Sequence, residues 1–243
     1  MDLDDIPIGK VLTRREALAF LGASGAYLFF GCSSTASTDP TGGSASCVAR
    51  PALTEGPYYV DEELNRSDIR TDPSDGTVKP GALLALTFNV STAASSTCAP
   101  LAGAVVDVWH CDALGAYSDV SDPRFNTVGR KFLRGYQVTG ADGVARFTTI
   151  YPGWYQGRAV HLHFKVRSPA GASPAYEFTS QLFFDDALTD QVHAQQPYAA
   201  KGQRTLRNSG DGIYNQGGSQ LVLSLAQASD GYEGSFDVAV SNG

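Results

Sequence analysis

The stretch GWYQGRAVHLHFKVRS, Gly153–Ser168, decides how the chain is read. From Val160 onward it reads as a β-strand. Successive side chains of a strand point to opposite faces, so His161 and His163 share one face while Leu162 and Phe164 turn into apolar packing. Two imidazoles about 7 Å apart along a strand can converge on one ion. The pair stands out because the 243 residues contain only four histidines. Taken alone, His-x-His suits zinc, copper or iron, and also a solvated strand face that binds nothing.

The period of two recurs along the chain. It is found in Ala82–Ser91, Ala102–Asp112, Tyr176–Asp186, Gln220–Gln227 and Gly234–Asn242. Tyr136–Thr139 and Val144–Ile150 flank Ala141-Asp142-Gly143, which predicts a hairpin. Asp186–Ala194 is the one short helix expected beyond the N-terminal region. Seven or more short strands with turns between them predict an all-β fold, an antiparallel β-sandwich with long functional loops and a minor helix. The 26 glycines and 12 prolines agree with many turns. A chain 42% hydrophobic can build one well-packed core. A formal charge of −7 argues against a nucleic-acid partner, which would need a basic surface.

The first residues read as an export signal. Arg14-Arg15 precede an apolar run, Ala17–Phe30, too short to span a bilayer comfortably. Paired arginines suggest the twin-arginine route, which carries folded proteins. Phe-Phe-Gly-Cys ending at Cys32 resembles a lipoprotein cleavage site, so Cys32 is a candidate for acylation and membrane anchoring. The other reading is plain cleavage nearby and a soluble secreted product. Residues 1–31 are thus expected to be a signal peptide, 32–46 a flexible polar linker, and 47–243 one folded domain. Export permits a disulfide. Cys98 and Cys111 bracket a predicted strand of about 26 Å and are too far apart to pair. Cys47 is therefore a partner of any bridge, with Cys47–Cys111 the expected pairing.

Four stretches lie in order over about residues 47–190: TEGPYY (Thr54–Tyr59), VDVWHCDALGAYSD (Val106–Asp119), FLRGYQVTGADGVARFTTIYPGWYQGRAVHLHF (Phe132–Phe164) and SQLFF (Ser180–Phe184). On these motifs the chain resembles the intradiol ring-cleavage dioxygenases, in an exported single-domain form. The resemblance implies non-haem Fe3+ held by Tyr117, Tyr155, His161 and His163. It implies a catechol-type diol and O2 as substrates, with cleavage between the two hydroxylated carbons to a cis,cis-muconate-type diacid. Tyr155, on the Gly153–Gly157 loop, would be the ligand that leaves and takes up a substrate proton, while Tyr117 stays. Arg158 would stabilise charge developing on the ring, with Gln181 as its hydrogen-bonding partner. Thr54, Pro57 and Tyr59, with Arg158, would line the substrate pocket, and Tyr58 joins them as a further candidate.

Elementary chemistry agrees with that ligand set. Phenolates are hard, charged oxygen donors, whereas zinc prefers cysteine, histidine and carboxylate. Two phenolates and a hydroxide neutralise Fe(III), and a diol dianion that displaces one phenolate and the hydroxide keeps the sum at zero. Other positions read as structural. Arg134 is expected in an ion pair, His110 is not expected to be a ligand, and His193 is expected to be solvated. Two other classes compete: a non-catalytic exported β-sandwich binding module, and a zinc or copper hydrolase built on His161 and His163.

Overall fold

The alternation of Leu84, Leu86, Phe88 and Val90 makes β1 (Leu83–Thr92) a strand with one buried edge of side chains. The structure, a computed structural model, describes residues 48–93, 98–173 and 175–241. The expected signal peptide, the linker, Cys32 and Cys47 lie outside them. After β1 come β2 (Ala99–Pro100), β3 (Val105–Trp109), a small hairpin of β4 (Ser121–Asp122) and β5 (Phe125–Asn126), then β6 (Arg134–Val138) and β7 (Val144–Ile150). Next follow β8 (His161–Arg167), β9 (Glu177–Phe183) and the helix α1 (Asp186–His193). Short 3-10 turns lead to β10 (Leu225–Ala228) and β11 (Gly231–Val240).

Two sheets face each other. One has the order β10-β11-β1-β2, with β7 also pairing β1, and the other has the order β6-β3-β8-β9. Between them Phe88 meets Phe147, Phe164 and Phe236 with ring centroids 5.1–6.2 Å apart. Each such side chain removed from water contributes roughly 1.5–3 kcal/mol, so this ring cluster is a main source of cohesion between the sheets. One pairing departs from the expected antiparallel pattern. β1 and β11 run parallel over ten residues, from Leu83 opposite Gly231 to Thr92 opposite Val240.

The Asp142-Gly143 turn is tight, with Gly143 N–H donating to the Gly140 carbonyl at 2.9 Å, yet it does not make a hairpin. β6 pairs with β3 and β7 pairs with β1, so the turn carries the chain from one sheet to the other. The local signal was a turn signal, and which sheet each strand joins is decided by packing. The expected strand at Gln220–Gln227 is also corrected. Gly218–Leu221 is a 3-10 turn that buries Leu221, and the strand begins only at Leu225. There a genuine two-residue hairpin loop, Ser229-Asp230, joins β10 to β11. The expected helix forms, with the Asp185 carboxylate accepting from Leu188 N–H at 2.8 Å as its N-cap.

The sheet that carries the histidines is buried on both faces. Leu162, Phe164 and Val166 of β8 enter the sandwich core, while His161, His163 and Lys165 point outward yet are still buried. The chain before β1 covers that outer face. Leu53 N–H donates to Thr179 at 3.1 Å and Tyr136 N–H to Leu64 at 2.8 Å. Lys165 pairs with Glu55, and Arg66 donates to the carbonyls of Thr71, Lys131 and Arg134. Cys98 is disulfide-bonded to a partner outside the described residues, whereas Cys111 is a free, buried thiol. The expected Cys47–Cys111 bridge is therefore corrected: Cys111 sits under Trp109 and Tyr117 and points its sulfur at the Gly153 carbonyl, 3.4 Å away.

Candidate active site

Strand β8 supplies the fixed part of the site. His161 and His163 are 1% and 2% exposed, with their Nε2 atoms 3.1 Å apart. The Nδ1 of His161 donates to the Ala159 carbonyl at 2.7 Å, which leaves Nε2 as a bare acceptor. His163 lies flat against Trp109, its cross-strand partner, with ring centroids 5.0 Å apart and an interplanar angle of 9°. Burial drives both imidazoles well below the ordinary histidine range, and Arg158 lowers His161 further while His161 lowers His163. Both rings are therefore neutral at pH 7 and have lone pairs to give.

The loop after β3 brings in Tyr117. The Asp112 carboxylate accepts from the backbone of Leu114 and Ala116, both at 3.0 Å, and Gly115 takes φ +81° at the bend. Ser118 donates to the Phe132 carbonyl at 2.7 Å, and Arg134 donates to both Ser118 oxygens. Arg134 thus anchors the loop by hydrogen bonds to neutral oxygens, which replaces the expected ion pair. Tyr117 is 1% exposed, and its hydroxyl has no hydrogen-bond partner among the described residues. Burial, with Tyr155 nearby, pushes its phenol well above the ordinary range. A phenolate there requires a cation beside it.

Tyr155 approaches from the other side, its hydroxyl 3.1 Å from His161 Nε2 and its ring 5.7 Å from that of Tyr117. Arg158 completes the cluster, with Nη1 3.4 Å from His161 Nε2. Two further donors are taken by Asp211 (Nε to Oδ2, 3.0 Å) and by Gln181 (Nη2 to Oε1, 2.6 Å). Gln181 in turn donates to the Thr54 carbonyl at 2.9 Å. Burial works against the Arg158 charge, but Tyr155 and Asp211 outweigh it and hold the guanidinium above its usual value.

Of the expected pocket residues, Thr54 acts through its carbonyl on Gln181, and Pro57 is exposed at a turn. Tyr59 packs on Trp109, 4.8 Å between centroids and one ring removed from His163. Tyr58 is the neighbour of the phenols. It stacks on Tyr117 at 4.6 Å, and its hydroxyl donates to Asp122 at 2.7 Å. A cavity of about 520 Å³ opens beside Tyr155, lined by Leu114, Phe125, Trp154 and Gln156, with Arg124 and Lys201.

Asp211 was not anticipated, although Asp211-Gly212 is itself a turn signal. Its carboxylate accepts from Arg158, Ala159, Ile213 and Tyr214. His110 is buried between the Cys111 carbonyl (2.8 Å) and the Thr149 hydroxyl (2.7 Å), away from the pair on β8. The expected solvation of His193 is corrected: it is buried, stacks on Tyr198 and contacts the Pro152 carbonyl at 3.0 Å.

The donors fit a hard trivalent ion. The bare His161 Nε2 lies 3.1 Å from His163 Nε2, a separation that calls for a proton or a cation between them. Ligand nitrogens sit about 2.0–2.1 Å from a first-row metal, so two of them at this separation can share one ion. The unpartnered Tyr117 hydroxyl points to the same need. Among the described residues no group of three or more His, Cys, Asp or Glu could hold a metal, so a hydrolase-type zinc or copper site lacks its third ligand.

Similarity to known proteins agrees with the geometry. A family model described as "Dioxygenase" matches residues 54–231. Catechol 1,2-dioxygenase 1 of Acinetobacter lwoffii is 28% identical over 165 residues, 56% of this chain and 49% of that protein. The chain spans about half the length of the curated relatives it matches. The solved intradiol ring-cleavage dioxygenase from Tetranychus urticae superposes with a TM-score of 0.70 at 30% identity, over 81% of this chain and 96% of that one. The dioxygenase domain of a dioxygenase–carbohydrate-binding protein fusion from Streptomyces sp. SirexAA-E gives 0.56 at 26% identity, over 80% and 99%. The chain belongs to the intradiol ring-cleavage dioxygenase family. Membership in an enzyme family argues against the non-catalytic binding module.

Proposed function

We propose that the protein is a non-haem Fe(III) dioxygenase that cleaves a catechol-type ring between its two hydroxylated carbons with O2, giving a cis,cis-muconate-type diacid. The observation that carries this reading is the convergence of two phenols and two neutral imidazoles, with a buried Tyr117 hydroxyl that has no other partner. Ferric iron held by Tyr117, Tyr155, His161 and His163 would supply a Lewis-acid centre that chelates the diol and activates its ring toward O2.

The chain's own residues divide the remaining work. Tyr155 is partly exposed beside the cavity, so its phenol oxygen is the one able to leave and accept a substrate proton. Tyr117 is enclosed by Tyr58, Trp109 and Phe125 and stays in place. Arg158, clamped by Asp211 and Gln181, presents a fixed, buried positive charge to negative charge developing on the ring. Tyr58, braced by Asp122 and Arg124, gives the ring an aromatic wall. Export of the folded enzyme, with or without an acyl anchor on Cys32, belongs to the same proposal. It would let the enzyme meet catechols outside the cytoplasm.

Iron analysis and the visible spectrum of the purified protein, with O2 uptake on catechol, hydroxyquinol and protocatechuate, test the reading. One iron per chain, a coloured protein and ring-opened diacid are expected. An iron-replete preparation that is colourless and cleaves none of the three overturns it.

A further inference from the structure

Four successive carbonyls lead up to Tyr155, and each accepts a hydrogen bond from a different side chain. Tyr198 donates to Tyr151 at 2.7 Å, His193 to Pro152 at 3.0 Å, Cys111 to Gly153 at 3.4 Å, and Lys201 to Trp154 at 2.6 Å. Three of the four donors come from the end of α1 and the turn Tyr198–Lys201 that follows it. The hold stops there. Gln156 and Gly157 are exposed, and Gly157 takes φ +90°. The Gly153–Gly157 loop is therefore anchored up to the Trp154 carbonyl, one residue before Tyr155.

Lys201 differs from the other three donors. The same Nζ also donates to the Leu114 carbonyl at 2.5 Å, three residues before Tyr117. It lies 4.8 Å from the centre of the Trp154 ring, whose indole N–H donates to Gly202 at 3.1 Å. The chain leaves room for this ammonium. A Cβ on Gly115 would come within 2.2 Å of Lys201 Nζ and 2.2 Å of the Trp154 carbonyl oxygen. Two carbonyl oxygens from separate loops repel each other, and a cation with several N–H donors between them turns that repulsion into a link.

We propose that Lys201 is a positioning residue that ties the Tyr155 loop to the Tyr117 loop and so fixes how the two phenols face His161 and His163. Lys201 acts through the carbonyls of Leu114 and Trp154. The consequence for turnover rests on the dioxygenase reading, but the link itself is made by protein atoms alone.

The test compares Lys201→Met, which keeps the stem and removes the donors, with Lys201→Arg, which keeps charge and donors. Hydrogen exchange of the metal-free proteins is followed by peptide. In Lys201→Met the peptides covering 112–118 and 153–158 should both exchange about tenfold faster, with β8 unchanged, and Lys201→Arg should restore most of the protection. In the iron-loaded Met variant the visible band should shift and kcat should fall about tenfold while KM stays within about twofold, as misplacement of a catalytic group predicts. Unchanged exchange in either loop, or faster exchange confined to 198–204, overturns the proposal. If the wild type takes up no iron and cleaves no catechol, the dioxygenase reading falls, while the exchange comparison still decides whether Lys201 joins the loops.

Discussion

The two tyrosines reach the same pair of histidines from loops of opposite character. Tyr117 sits in a loop tightened by Asp112, Ser118 and Arg134 and is sealed among aromatic rings. Tyr155 stands where four anchored carbonyls give way to an exposed, glycine-ended turn. On the proposed reading, identical side chains take different roles from their backbones: the ligand that would stay is walled in, and the one that would leave stands between the last anchored carbonyl, that of Trp154, and an exposed turn.

The most severe way to break this comparison is to remove the frame both phenols share. His163→Ala should reduce iron to background in elemental analysis and abolish ring cleavage, by more than about 10³-fold, because a structural ligand and its site are lost together. The next change separates the tyrosines. Tyr155→Phe should keep iron near one per chain while kcat/KM falls by about 10²–10⁴-fold, the usual worth of a positioned general base. Near-wild-type turnover in Tyr155→Phe contradicts the assignment of Tyr155 as the departing base.

Acid probes the histidines without mutation. Burial lowers His110 to about 4 and drives His161 and His163 well below the usual range, so the unfolded chain binds more protons than the folded one below about pH 6.5. Stability of the metal-free protein should therefore fall as pH drops from 6.5 towards 4. His110 alone would account for on the order of 3 kcal/mol across that window. Denaturant midpoints measured at several pH values check this, and a flat profile contradicts neutral, buried imidazoles. The smallest effect sharpens the comparison most. Tyr117→Phe in the metal-free protein should raise stability by about 1 kcal/mol, since its hydroxyl is buried without a hydrogen-bond partner among the described residues. Tyr155→Phe should give no such gain, because its hydroxyl already meets His161. Equal shifts in the two variants would erase the distinction.

What was legible in the sequence was whatever a single strand or loop encodes. The period of two put His161 and His163 on one face and Leu162 and Phe164 on the other, and both faces are as expected. Pairings between distant segments were not legible. The Asp142-Gly143 turn joins two sheets because β6 and β7 bury their apolar sides against different partners, and no local signal separates that from a hairpin. Cys111 escaped for the same reason: its neighbours Trp109, Tyr117 and Gly153 converge only in the fold. Asp211 and Lys201 lie far along the chain from the residues they hold, in a stretch whose 3-10 turns carry little periodicity.

The most direct test is the visible absorption of the iron-loaded protein, titrated with catechol without oxygen, in the wild type and the two Tyr→Phe variants. A tyrosinate on ferric iron absorbs visible light by charge transfer. The account predicts that Tyr155→Phe keeps the band the wild type retains after catechol binds, and that Tyr117→Phe loses it. A protein without such a band, or a Tyr117→Phe spectrum that matches the wild type throughout the titration, would contradict it.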